Sequence, residues 1–123
     1  VHLMDEQIDH GQIISVTELD ILPTDTVSSL LQRTHEMRLA VFFEFVDYLS
    51  THGDDLDLQQ LAEQYNGPAW GDKTYSIKEI DKLQIVDTKI DSVELKRIIR
   101  STLFLNHRPY IELHGHRFLL ADD

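Results

Sequence analysis

The sequence predicts a soluble α/β protein, and three features of its 123 residues indicate this class. Residues 13–19 are rich in β-branched side chains, with Ile14 and Val16 alternating with polar neighbours as in a half-buried strand. Residues from about 26 to about 50 keep the three-and-four spacing of an amphipathic helix. The tail, 109–120, has the pattern of a β-hairpin that turns at His114-Gly115.

The first half of the chain is expected to centre on the long helix. Residues 1–4 are predicted to end a strand, and 23–25 to form a turn that caps the helix. Between positions 39 and 46 only Glu44 is polar, so we expect this part of the helix, with its phenylalanines, to be buried on most sides. Gly53 is predicted to end the helix.

The remaining elements follow from local patterns of apolar and turn-forming residues. In order, the sequence predicts a short helix over 56–65, a break at 66–68, an extended segment over 70–75, helical turns over 77–83 and a helix over 92–104.

Composition limits the functions that the chain can have. Hydrophobic residues make up 41% and charged residues 27%, as in a soluble globular protein. There is no cysteine, and Asp5, Glu6 and Asp9 interrupt any signal peptide at the start. We therefore expect a cytoplasmic protein that has no membrane contact.

The net charge of −11 is distributed unevenly along the chain. Residues 1–65 carry 2 Lys and Arg against 13 Asp and Glu, whereas residues 66–123 carry 9 of each. The acidic half argues against a nucleic acid partner. An anionic ligand is expected to bind the second half, unless its cations are only solvated surface groups.

One motif, at positions 2–14, carries most of the functional information. It reads His-Leu-Met-Asp-Glu-Gln-Ile-Asp-His-Gly-Gln-Ile-Ile. It resembles the folate loop of formyltransferases that use 10-formyltetrahydrofolate, with a signature of roughly His-x-Met-Asp-x-x-Ile-Asp-x-Gly-x-Ile-Ile. The resemblance implies that the chain is the C-terminal portion of a formyltransferase-type Rossmann-like domain, followed by a small α+β tail with a hairpin.

The same resemblance assigns roles to residues of this motif. Asp9 falls on the family's catalytic aspartate, although a turn residue beside Gly11 is the alternative. The loop residues expected to bind the 10-formyltetrahydrofolate co-substrate are Met4, Asp5, Glu6, Gln7, Ile8 and Gly11. The family's Asn-x-His pair does not occur in this sequence. We therefore expect the chain alone to be inactive and the complete protein to be the enzyme.

A second segment, 70–75, is similar to the Gly-x-x-Thr-Tyr segment of nucleotide-sugar N-formyltransferases. This similarity implies a nucleotide-linked amino-deoxysugar as the acceptor and a place in lipopolysaccharide O-antigen biosynthesis. The residues expected to bind that substrate are Trp70, Lys73, Tyr75, Arg108 and Tyr110. The histidines around His114 flank a predicted turn, and we expect no metal site there.

The expected domain division lies between residues 52 and 53: 1–52 forms the end of the catalytic domain and 53–123 a helix and hairpin region. We expect a homodimer through the helix 92–104 and the hairpin 109–120, since a hairpin alone is marginal. Fragments of methionyl-tRNA or glycinamide ribonucleotide formyltransferases are alternatives. A non-catalytic dimerisation or binding remnant is another.

Overall fold

The computed structural model describes residues 1–7 and 10–121, and it contains four α-helices and one two-stranded antiparallel sheet in that part of the chain. The elements are α1 (Val27–His52), a 3-10 helix (Gly53–Asp55), α2 (Leu58–Gln64), α3 (Ile77–Leu83), α4 (Ser92–Thr102), β1 (Tyr110–Leu113) and β2 (His116–Leu119). Helices and strands thus both occur, as the α/β class requires. None of the helices in these described ranges has the length and apolar character needed to cross a bilayer.

Contacts between residues divide the chain into two compact units. The first unit contains residues 1–20 and 33–73, and the second contains residues 21–32 and the chain from 74 onward. The first turns of helix α1 belong to the second unit, and the rest of the helix belongs to the first. The division expected between residues 52 and 53 follows sequence resemblance rather than packing, and it stays a prediction.

Helix α1 occupies almost the predicted range, and its end has the predicted cause. The helix stops at His52, and Gly53 has a φ of +54°, a conformation that glycine adopts at little cost. Helix α2 then begins at Leu58, later than predicted, because the Asp57 side chain caps it by accepting from the amides of Gln59 and Gln60.

The predicted burial of α1 is wrong. Phe42 and Phe43 are 57% and 65% exposed, and Leu39 and Val46 are also exposed. The apolar spacing shows which face of a helix is hydrophobic, but burial depends on what packs against that face. Within the described residues of the first unit, nothing covers this part of α1 enough to bury it.

The predicted strands at 1–4 and 13–19 are also shorter than expected. They reduce to a single antiparallel bridge between His2 and Ile13, supported by bonds from the amides of Ile14 and Ser15 to the Val1 carbonyl. β-Branched residues favour an extended backbone, but a strand needs a partner along its length. Past Ser15, no further pairing occurs among the described residues, so the segment is irregular there.

The second unit holds the most buried apolar side chains, which are Val86, Ile98 and Tyr110 among the described residues. Tyr110 exchanges backbone hydrogen bonds with the segment before it: its N–H donates to the Gln84 carbonyl at 2.9 Å, and its own carbonyl accepts from Val86 at 2.8 Å. The start of β1 is thereby fixed beside residues 84–86.

Local signals predicted the rest of this unit closely. Helix α3 has the predicted bounds, and α4 ends two residues earlier than expected. In the hairpin, Leu113 pairs with His116, and the turn between them has positive φ at both His114 (+49°) and Gly115 (+79°). Two positive φ values are the requirement of a type I′ turn, so the predicted hairpin is confirmed.

Candidate functional site

The base of the loop at positions 4–10 is closed by backbone hydrogen bonds of the first unit. The Leu3 amide donates to the Gln12 carbonyl at 2.8 Å, and the Ile14 amide donates to the Val1 carbonyl at 2.9 Å. Together with the bridge between His2 and Ile13, these bonds bring the two ends of the loop side by side. The two ends of the loop therefore start and finish at one fixed base.

Gly11 lies where the two sides of this base approach most closely. It is buried, and an added Cβ would lie 1.6 Å from the Leu3 carbonyl oxygen, far inside van der Waals contact. Any side chain at this position would have to push the Leu3 backbone away. Two backbone segments therefore approach each other closely at Gly11, and the role of Gly11 in binding a co-substrate stays a prediction.

Within the loop, Asp5 organises the backbone and one side chain. Its Oδ1 accepts from the Gln7 amide at 2.8 Å, and its Oδ2 accepts from His10 Nδ1 at 2.7 Å. The hydrogen bond from His10, followed by that from Gln7, lowers the pKa of Asp5 below its ordinary value of 3.8. Asp5 is therefore an anion at neutral pH, and both of its oxygens already have partners.

The other predicted loop residues are placed as follows. Met4 is 89% exposed, so its side chain does not pack on the first unit, and Glu6 and Gln7 are exposed as well. Ile8 and Asp9 lie outside the described residues. The assignment of these residues to the co-substrate, and of Asp9 to catalysis, stays a prediction.

Trp70 contacts the base of the loop from a distant part of the sequence. Its Nε1–H donates to the Gly11 carbonyl at 2.6 Å, and its ring meets the His2 ring edge-to-face with centroids 5.1 Å apart. The Gln59 side chain also donates to the Gln12 side chain. Gln59 of helix α2 and Trp70 of the segment after it thus contact Gln12 and Gly11, the two residues that follow the loop.

An open cavity of about 310 Å³ lies beside this contact. Its lining consists of His10, Gly11, Gln12, Ile13, Ala62, Tyr65, Gly67, Ala69 and Trp70. The Tyr65 hydroxyl donates to the Pro68 carbonyl at 2.9 Å and closes the turn that leads to Trp70. Residues of the loop base and residues of the turn after α2 therefore line the same cavity.

The five residues expected to bind the sugar nucleotide are not gathered within one unit. Trp70 and Lys73 belong to the first unit, and the other three belong to the second. Tyr75 is 71% exposed, whereas Tyr110 is a core residue with the Arg117 guanidinium 4.6 Å from its ring centroid. Arg108 donates to the Leu120 carbonyl at 3.2 Å. Their common role in binding an acceptor stays a prediction.

Sequence reasoning missed three contacts at this site: His10 with Asp5, Gln59 with Gln12, and Trp70 with Gly11. The first joins residues five positions apart, which is neither a helical nor a strand spacing. The others join residues 47 and 59 positions apart, for which a single sequence carries no local signal. No group of three or more possible metal ligands occurs in the described ranges 1–7 and 10–121.

Comparison with known proteins locates the similarity in the same part of the chain. The sequence model of the formyl transferase family matches residues 1–46, which is less than half of the chain. The chain is also 39% identical over 51 residues to the phosphoribosylglycinamide formyltransferase of Dictyostelium discoideum. That match covers 42% of this chain and 25% of that protein. Both comparisons support the formyltransferase family for the first part of the chain.

Proposed function

We propose that this chain supplies the folate loop of an enzyme that transfers a formyl group from 10-formyltetrahydrofolate to an amine. The observation that supports this most directly is the fixed loop base, which lies inside the stretch similar to the formyl transferase family. Backbone groups held by such a base suit a flat heterocycle, because their donors and acceptors keep a constant spacing. The wider catalytic fold, with its Rossmann-like sheet, belongs to the same proposal.

The proposed reaction makes one bond and breaks one. The amine nitrogen attacks the formyl carbon, a tetrahedral intermediate forms, and the bond from that carbon to N10 of the folate breaks; the amine loses a proton and N10 takes one up, so that the formamide and tetrahydrofolate are the products. This sequence requires a group that removes the proton and donors that stabilise the oxyanion. We propose Asp9 for the first task, through its match to the family motif. The sequence holds no Asn-x-His for the second.

It follows that residues 1–123 alone should not turn over substrate. Incubation of this chain with 10-formyltetrahydrofolate and amine acceptors should give no tetrahydrofolate above the uncatalysed rate. The complete protein measured beside it is the positive control. Turnover by the chain alone at a rate near that of the complete protein would show that the missing pair is not needed.

The acceptor we propose first is a nucleotide-linked amino-deoxysugar, as the segment 70–75 suggests. The second half of the chain balances 9 cations with 9 anions, unlike the acidic first half, and so repels a nucleoside diphosphate less. A second candidate acceptor is glycinamide ribonucleotide, which is favoured by the similarity to the Dictyostelium protein. Both acceptors carry a primary amine and phosphate groups, so the chemistry of transfer is the same.

The experiment supplies the complete protein with 10-formyltetrahydrofolate and, separately, with a dTDP-linked amino-deoxysugar and with glycinamide ribonucleotide. Mass spectrometry of the formylated product identifies the acceptor. The Asp9→Asn variant should lose ~10²- to 10⁴-fold in kcat, as expected for a positioned acid–base group. If the wild-type protein formylates neither amine, the proposed function is wrong.

A further inference from the structure

We propose that Trp70 is a positioning residue for the folate loop, an assignment that rests on the proposed function. Trp70 lies outside residues 1–46, the stretch that the family model matches, yet it contacts both sides of the loop base. Its indole N–H holds the Gly11 carbonyl at 2.6 Å, and its ring meets His2 edge-to-face with an interplanar angle of 86°. In this role Trp70 acts through Gly11 and His2.

The hydrogen bond to Gly11 restrains the loop at its most sensitive point. Gly11 is buried and in close contact with the Leu3 carbonyl, so its peptide group has little room to shift. Its carbonyl is satisfied by the indole in a partly buried setting, and loss of the donor would leave it without that partner. The end of the loop would then lose one of its restraints.

The ring contact restrains the other side of the base. His2 forms the bridge with Ile13, and its Nδ1 lies 3.0 Å from the Leu3 carbonyl oxygen. An edge-to-face aromatic pair favours one relative orientation of the two rings. Trp70 therefore couples the residue before the loop to the residue after it, although it comes 59 residues later than Gly11.

The segment around Trp70 has hydrogen bonds that do not involve the indole. The Tyr65 hydroxyl donates to the Pro68 carbonyl at 2.9 Å, and α2 is tied to the loop base by the contact of Gln59 with Gln12. Tyr65→Phe removes a hydrogen bond from the same segment without touching the bond to Gly11, and it is therefore the matched control.

The test compares Trp70→Phe and Tyr65→Phe with the wild type in the complete protein. The probe is 5-formyltetrahydrofolate, a stable isomer of the donor, with its Kd measured by calorimetry. Trp70→Phe should raise this Kd about 3- to 10-fold, the range expected for loss of one net hydrogen bond, and should change the KM for the amine acceptor by less than about twofold. Tyr65→Phe should leave both values within about twofold of the wild type.

A second readout does not depend on activity. Amide hydrogen exchange of peptides covering residues 3–12 should be faster in Trp70→Phe and unchanged in Tyr65→Phe. If exchange in this loop is the same in Trp70→Phe and the wild type, or if Tyr65→Phe reproduces every effect of Trp70→Phe, the positioning role is overturned. If the wild-type protein binds no folate, the proposed function is overturned, and the exchange data still decide whether Trp70 holds the loop.

Discussion

Replacement of Gly11 by alanine should disrupt the loop base. The added Cβ would lie 1.6 Å from the Leu3 carbonyl oxygen, whereas real contacts of this kind are wider than 3.0 Å. The two backbone segments would therefore have to move apart by more than an ångström. Such a movement breaks the bond from the Leu3 amide to the Gln12 carbonyl and the bond from Trp70 to Gly11.

The expected magnitude follows from those two bonds. Each contributes about 0.5–1.5 kcal/mol net, so their loss should lower the free energy of unfolding by about 1–3 kcal/mol. Gly71→Ala is the matched control, because an added Cβ there meets nothing within 4 Å and Gly71 belongs to the same unit. A glycine replaced at an unstrained position gains up to about 1 kcal/mol through the unfolded chain, so this control should be neutral or stabilising.

The assay is urea unfolding of the complete protein and its two variants, followed by hydrogen exchange of peptides from residues 1–15. Gly11→Ala should lower the unfolding midpoint and speed exchange at Leu3 and Gln12, whereas Gly71→Ala should do neither. Equal stability and equal exchange in the two variants would refute the close approach at Gly11. A loss of stability without faster exchange in 1–15 would place the damage elsewhere and contradict the same reasoning.

Three further predictions concern other parts of the chain. The folded-state pKa of Asp5 is lowered, so its pairing with His10 should persist at pH values above the ordinary pKa of 3.8. The pairing should disappear as the pH falls through the lowered, folded-state pKa. An NMR titration of the Asp5 carboxyl would show this. Asp91→Ala should cost about 1 kcal/mol of unfolding free energy in urea, since Asp91 caps α4 through two amides. We also propose a homodimer through the helix and hairpin. Phe118 is 57% exposed, and Phe118→Glu should shift light-scattering mass toward the monomer, whereas the control Ile77→Glu, at a 69% exposed site of α3 outside the proposed interface, should not.

The features that the sequence predicted best depend only on residues that are adjacent in the sequence. The turn at His114-Gly115 follows from two residues that tolerate positive φ, and the end of α1 follows from Gly53. These choices depend on the backbone preferences of single residues. They need no information about the rest of the molecule, so a pattern of a few letters is sufficient.

Features that depend on a distant partner could not be predicted in the same way. The apolar spacing of α1 located its hydrophobic face, but the exposure of Phe42 and Phe43 depends on what packs there. At the candidate site, the motif indicated that Gly11 belongs to the folate loop. It gave no sign that the indole of Trp70 donates to the Gly11 carbonyl. The two residues are 59 positions apart, whereas helical and strand periodicity relates only residues a few positions apart.

The geometry of Asp5 bears on which carboxylate of the loop accepts the proton. Asp5 carries two hydrogen bonds, and the lowered pKa that they cause makes it a weaker base. A general base works best when its pKa lies nearer the operating pH, so Asp5 suits a structural role in the loop.

The proposal of Asp9 as the base therefore predicts unequal effects of two matched substitutions. Asp9→Asn should lower kcat by ~10²- to 10⁴-fold, whereas Asp5→Asn should mainly weaken folate binding, by about 3- to 10-fold. A larger loss of kcat in Asp5→Asn than in Asp9→Asn would reverse these roles, because loss of the group that takes the proton slows the chemical step itself.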